Sequence, residues 1–300
     1  MHRASVLGCG LKEPRVEVSD AMQEVQFEHY SRKQRVVAWV SRNLFDGITY
    51  TVRHGLLRGM KRKGGLGWLP DSLIKAEVTA ESKFWETAPL RGAVVYDIGA
   101  FHGMLTLWFA RHANQVVSYE PVAQNRARLL ENLSLNRIQN VTVRDVALGG
   151  GAGAAVMRVD PLMPGGSKVV VEENASRDAG LEPAIGRVRV TTLDQDIEER
   201  GLPAPTFLKI DVEGFELDVL RGAAQTLARG RPALFIEIHG ETLAGKQRNA
   251  AAVVQFLHEA GYGPIQHIES GTEVSPGNSD VAAQGHLYCE GKVPRGGPGR

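Results

Sequence analysis

The sequence predicts a doubly wound α/β domain: a mostly parallel seven-stranded sheet with an antiparallel edge strand and helices on both faces. Three observations predict it. Residues 94–96 form a β-branched and aromatic run that ends at Asp97 and turns through Gly99 and Gly103. Met104, Leu105, Leu107, Trp108 and Phe109 then read as a mostly buried helix, so the unit is strand, glycine turn, helix. A second short run, 116–119, ends in Glu120 about 20 residues past that turn. Further short apolar runs at 141–146, 207–210 and 232–239 alternate with helical patterns, the rhythm of crossover units.

The first turn constrains what binds there. In such sheets ligands sit beyond the carboxyl ends of the strands. A glycine admits a ligand close to the backbone, and free N–H groups at a helix start can bond to it. A dinucleotide turn reads G-x-G-x-x-G. Here an acid precedes the first glycine and the third glycine is missing, giving Asp97-x-Gly99-x-x-x-Gly103. Asp97 would repel a pyrophosphate and suits a ligand that carries an amine. S-adenosylmethionine has a positive sulfur and an α-amino group and no phosphate. Glu120 is spaced to accept hydrogen bonds from ribose hydroxyls. Taken singly, a plain α/β turn and a solvated glutamate remain alternatives. Two strand-end acids at this spacing favour the binding reading.

Several blocks then occur in order. They are Asp97-Ile98-Gly99-Ala100 with Gly103, Tyr119-Glu120-Pro121, Asn140-Val141 with Ala147-Leu148-Gly149, and Thr192-Leu193-Asp194. Leu208-Lys209-Ile210-Asp211-Val212-Glu213-Gly214 and Val219-Leu220-Arg221-Gly222-Ala223 follow. Together, over residues 92–240, they resemble the FkbM family of S-adenosylmethionine-dependent methyltransferases. The resemblance implies a class I methyltransferase (Rossmann-like) fold and methyl transfer, typically to oxygen. It places Asp97, Gly99, Ala100 and Gly103 at the amino-acid part of S-adenosyl-L-methionine and Glu120 at its ribose. Asp145, or the backbone at Val146 and Ala147, falls where a class I fold places the adenine, and a solvated strand residue remains the alternative for Asp145. The turn departs from the family in reading Ala100-Phe101-His102-Gly103, where the family often has Asn after Ala.

Composition sets wider bounds. The chain has 300 residues, 43% hydrophobic and 23% charged, enough for a sizeable core. A net charge of +1 gives no general attraction to nucleic acid or membrane. Two cysteines, Cys9 and Cys289, make no disulfide framework, and no Cys/His cluster has zinc spacing. No secretory leader and no apolar run long enough to span a bilayer is read. The expectation is a soluble, cytoplasmic protein with a small-molecule acceptor, no nucleic-acid partner and no internal repeat.

In chain order, residues 1–85 read as an N-terminal helical and basic extension, with a helix over 21–44. Arg53, His54, Arg58, Lys61, Arg62 and Lys63 follow, then a glycine-aromatic loop over 64–70. This segment is read either as a solvated helix face or as part of a lid over the cofactor. A helix over 71–85 leads into the domain at 86–291. Helices are expected at 103–111, 122–135, 215–229 and 247–260, the second with Pro121 at its start. Residues 154–192 read as a β-rich insertion. Thr192 or Asp194 caps the short helix after it. Residues 262–268 and 286–289 read as a closing antiparallel pair around a polar loop, and 292–300 as a disordered tail.

The candidate chemistry sits at two strand ends. Methyl transfer to a hydroxyl needs the oxygen in line with the sulfonium and a base or metal for its proton. Asp211 lies beyond the strand 207–210 and is the first candidate. Glu213, two positions on, would share its face if the strand continued. The pair reads as a base with its orienting partner or as oxygen ligands for Mg²⁺, although no metal is expected. Glu237 and His239 share a face at the same edge, and His239 is a natural general base. Two other functions stay open: a nicotinamide-dependent oxidoreductase on the same sheet, and a non-catalytic adaptor that binds through the basic N-terminal region.

Overall fold

The computed structural model describes residue 40 and residues 44–64, 78–158, 168–171, 184–240 and 242–291. The expected helix over 21–44 lies almost wholly outside these residues. The loop 65–70, the start of the 71–85 helix and the tail 292–300 also lie outside them.

A hairpin comes first. β1 (Thr49–Thr51) pairs antiparallel with β2 (Lys61–Lys63). The basic run 61–63 is therefore a strand and not a helix face. Arg128, on a later helix, donates to the Lys63 carbonyl at 2.9 Å, which ties this hairpin to the domain. α1 (Ala80–Thr87) starts at Thr79, whose Oγ1 accepts from the Ser82 N–H at 3.1 Å.

The wound unit follows as β3 (Val94–Ile98), α2 (Met104–His112), β4 (Gln115–Tyr119), α3 (Ala123–Leu135) and β5 (Val141–Arg144). A second sheet comes next, made of β6 (Ala147–Leu148), β7 (Gly153–Arg158), β8 (Lys168–Val171) and β9 (Ala184–Thr191). Its order is β6-β9-β7-β8. Then come α4 (Leu193–Arg200), β10 (Phe207–Ile210), α5 (Glu216–Gly222), α6 (Ala224–Gly230) and β11 (Ala233–Glu237). The chain closes with α7 (Leu243–Glu259), β12 (Ile265–His267), β13 (Glu273–Val274), a 3₁₀ turn (Ser279–Ala283) and β14 (His286–Cys289).

The main sheet runs β13-β12-β14-β11-β10-β3-β4-β5. The five strands from β5 to β11 are parallel, and β14 lies antiparallel between β11 and β12. This is the class I arrangement; the two-residue β13 makes an eighth strand beyond the seven expected. After β3 the chain steps outward through β4 and β5, and later returns to add β10 on β3's other side. The strand order reverses at β3 and β10, so a crevice opens beyond their carboxyl ends.

Each face of the sheet is buried. On one, Val219, Leu220, Val253, Val254 and Leu257 pack on Tyr96, Leu208 and Ile236. On the other, Trp85 of α1 lies 5.0 Å from Phe109 and 4.3 Å from Phe235, ring centre to ring centre. At about 25 cal/mol per Å² of apolar area, such aromatic burial is a large stabilising contribution.

Among the boundaries that differ from expectation, three have a physical reason in the contacts around them. The helix expected over 215–229 is two helices. A Cβ on Gly222 would stand 2.1 Å from the Gly149 carbonyl, so α5 ends against that backbone. Asp194 restarts the helix by accepting from Gln225 N and Thr226 N, both at 2.8 Å, while Thr192 caps α4. The helix expected at 247 starts at Leu243, because Thr242 caps it through Gly245 N. The strand expected over 141–146 stops at Arg144, whose guanidinium pairs with buried Asp196 at 2.7 Å. The polar loop near the end holds β13 and the 3₁₀ turn, with Val274, Ala282 and Ala283 buried.

Candidate functional site

The glycine turn sits at the end of β3, in the crevice. Gly99 has φ +83°, and a Cβ there would lie 1.7 Å from the Asp211 carbonyl. Its glycine is required by the neighbouring strand end. Gly103 has φ +80°, and its Cβ would meet Leu129 Cδ1, the end of a side chain on α3, at 2.2 Å. Phe101 also has positive φ, +48°, a conformation Asn tolerates better than Phe. Its ring stacks on His102 with centroids 3.7 Å apart. Burial and the charges of Arg128 and Arg62 push the His102 pKa down to about 4, so this imidazole is neutral.

The N–H groups of Gly99, Ala100, Phe101 and Gly103 are engaged within the protein. Gly99 N and Ala100 N donate to the Tyr119 carbonyl, and Gly103 N to Ala100. Phe101 N donates to Glu120 Oε2 at 2.9 Å. The turn therefore offers acceptors. Glu120 is 5% exposed; its Oε1 accepts from Val122 N at 2.8 Å. Burial pushes its pKa up to about 7 against the pull of those hydrogen bonds. Asp97 is 1% exposed; Oδ2 accepts from Thr106 Oγ1, while Oδ1 makes no hydrogen bond and lies 3.4 Å from Lys209 Nζ.

Lys209 occurs in the block 208–214 of the sequence, where it is assigned no role of its own. Parallel pairing places it opposite Asp97. Its ammonium donates to the Gly99 carbonyl at 3.0 Å and to Asp211 Oδ2 at 2.9 Å. Burial opposes its charge, but Asp211 and Asp97 outweigh that and raise its pKa. Removing one partner of such a buried set leaves a charge uncompensated, at a cost of about 3–5 kcal/mol.

Beyond the ends of β10 and β11 lies a cluster around His239. Its Nε2 is 3.4 Å from Glu237 Oε1, 3.7 Å from Asp211 Oδ1 and 3.8 Å from Glu213 Oε2. Its Nδ1 lies 2.9 Å from Oε1 of Glu216, a fully buried acid at the start of α5 that the sequence pattern disguises as a helix-start charge. Asn249 of α7 donates to Glu216 Oε2 and to the His239 carbonyl. Burial lowers the His239 pKa, but hydrogen bonds to Glu216 and Glu237 and the charges of Asp211 and Glu213 prevail and raise it to about 10. The raised value favours the imidazolium, whose Nε2 faces Glu237, Asp211 and Glu213. Hydrogen bonds from His239 and His286 overcome burial and hold the Glu237 carboxyl far below the usual range.

Glu213 reaches the cluster by another route than the one expected. β10 ends at Ile210, and Glu213 has φ +54°, so it lies in a turn and not on Asp211's strand face. Burial raises its pKa. Ligand atoms of Asp211, Glu237 and His239 lie within 4.8 Å of one another. Asp145 is exposed just past β5, and Val146 is buried in the core.

A family model described as the methyltransferase FkbM domain matches residues 97–264. Methyltransferase 1 of Beauveria bassiana (strain ARSEF 2860) is 26% identical over 155 residues, covering 47% of this chain and 62% of that protein. Methyltransferase sdnD of Sordaria araneosa is 31% identical over 153 residues, covering 43% and 59%. The chain thus covers less than two thirds of either relative's length. Among solved structures, a methyltransferase FkbM from Methylobacillus flagellatus KT is similar at 20% identity and TM-score 0.45, over 72% of this chain and 48% of that one. No helix of the described residues is long and apolar enough to cross a membrane.

Proposed function

The chain belongs to the methyltransferase FkbM family, and on that premise we propose that it transfers the methyl group of S-adenosylmethionine to a hydroxyl oxygen of a small-molecule, sugar or lipid-like acceptor. The observation that carries the reading is the reach of Lys209. One ammonium holds the Gly99 carbonyl and the Asp211 carboxylate, at 3.0 and 2.9 Å. The turn that would carry the methyl donor and the acids that would meet the acceptor are thereby fixed together, as an in-line transfer needs.

The chemistry of the turn supports this donor. Asp97 Oδ1, which makes no hydrogen bond and faces Lys209 Nζ at 3.4 Å, is an acceptor that suits the amino group. Glu120 suits the ribose hydroxyls, and the exposed Asp145 or the Val146 backbone the adenine edge. Asp97, Gly99, Ala100 and Gly103 form the wall on the methionine side. A pyrophosphate would meet two buried carboxylates, Asp97 and Glu120, which weighs against the nicotinamide alternative. Asp211, with Oδ1 on the side away from Lys209, takes the acceptor proton. Glu213 and cationic His239 position the hydroxyl.

The test is transfer of labelled methyl from S-adenosylmethionine to a panel of hydroxylated and amine acceptors, with Asp211→Asn alongside. A base role predicts a loss in kcat of at least about 100-fold with S-adenosylhomocysteine affinity unchanged. Transfer to nitrogen alone, or full activity in Asp211→Asn, would overturn the proposal.

A further inference from the structure

We infer that Asp211, Glu237 and His239 form a site for one divalent transition-metal cation, for which Mn²⁺ is the fitting probe. The three ligand atoms lie within 4.8 Å of one another. What separates this triplet from an ordinary patch of acids is that the second polar atom of each residue is occupied by a different outer partner. Lys209 holds Asp211 Oδ2 at 2.9 Å, which leaves Oδ1 facing His239 Nε2 at 3.7 Å. His286 Nε2 stands 3.6 Å from Glu237 Oε2, which leaves Oε1 facing His239 Nε2 at 3.4 Å. Glu216, fully buried and braced by Asn249, takes His239 Nδ1 and leaves Nε2 for the gap. Such outer partners fix the tautomer of a ligating histidine and aim ligating carboxylates.

The dimensions and donor types agree. Two donors each about 2.1 Å from one ion stand roughly 3–4 Å apart, which brackets the 3.4 and 3.7 Å separations. Carboxylates suit hard ions and imidazole suits first-row transition ions, and Mn²⁺ accepts both. Two ligand carboxylates balance its charge. A cation held there would replace the proton on His239 Nε2, and it would polarise an acceptor hydroxyl in place of the imidazolium. In the competing arrangement no ion binds, and the imidazolium itself holds the surrounding carboxylates together.

The experiment is electron paramagnetic resonance titration of Mn²⁺ into the metal-stripped full chain, with circular dichroism to confirm the fold. It is read without cofactor or acceptor, so its failure leaves the methyl-transfer proposal standing, and loss of S-adenosylhomocysteine binding leaves this one standing. The expected result is one Mn²⁺ per chain. Affinity should fall at least tenfold in Glu237→Gln and in the outer-partner variant Glu216→Gln, and should stay unchanged in Asp280→Asn, a surface-acid control. Folded wild type that binds no Mn²⁺ below about 1 mM, an affinity of only about −4 kcal/mol, would overturn the inference. So would binding that persists equally in Glu237→Gln and Glu216→Gln.

Discussion

Glu120→Gln separates the cost of burying this carboxylate from the rest of the fold. The carboxyl is 5% exposed and its pKa stands at about 7, against an ordinary value of 4.5. That difference corresponds to ~3 kcal/mol of linkage. The sign follows from the raised value. The native chain keeps the proton after the unfolded chain has released it, so the stability contribution is whole below pH 4.5. It is lost as pH rises to about 7. Glutamine carries no such dependence. It keeps one oxygen for Phe101 N or Val122 N and sets its amide against the other, a fixed loss of about 1–3 kcal/mol. Urea unfolding of both proteins without cofactor, from pH 4.5 to 8, reads the difference. The variant should gain ~3 kcal/mol relative to wild type across that window, and other titrating groups cancel in the subtraction. A difference flat to within about 0.5 kcal/mol would refute the reasoning. With S-adenosylhomocysteine present, ribose hydroxyls favour the ionised carboxylate. Wild-type affinity should therefore climb by up to about tenfold per pH unit below pH 7 and level off above it, while the variant stays weak and flat.

Gly99→Ala should lose about 2–5 kcal/mol in urea unfolding, from left-handed strain plus overlap with the Asp211 carbonyl, and S-adenosylhomocysteine binding with it. Gly103→Ala meets only a leucine methyl that can turn away, so about 1–2 kcal/mol is expected by the same assay. Glu216→Ala strips partners from His239 and Asn249; kcat should drop at least tenfold with little change in the KM for S-adenosylmethionine, and stability should fall by about 2–4 kcal/mol. Asp194→Ala removes the acceptor of two N–H groups at the start of α6, so about 1–2 kcal/mol of stability should be lost by thermal or urea unfolding, with cofactor affinity unchanged.

The alternation of period-two and period-3.6 runs made the parallel core legible, and the acids at the ends of β3 and β4 stood out because each closes an apolar run. Lys209 did not stand out, since its partners Asp97 and Gly99 become neighbours only through the β3–β10 pairing. Glu216 was hidden for a similar reason: an acid in a helix's first turn is ordinary, and only the approach of His239 and Asn249 gives it a buried role. The face-sharing expected of Asp211 and Glu213 failed because strand geometry stops at Ile210, and nothing local fixes the positive φ of Glu213. The break at Ala223 depends on Gly149, far away in the chain. Side chains whose place is set by their own element were readable; those set by contact between elements were not.

Calorimetric titration of S-adenosylhomocysteine into the folded wild type and into Glu120→Ala tests the central claim most directly. One molecule should bind per wild-type chain, binding should be lost or sharply weakened in the variant, and NAD should give no heat. Folded wild type that ignores S-adenosylhomocysteine, or a variant that binds it as tightly as wild type, would contradict the cofactor assignment.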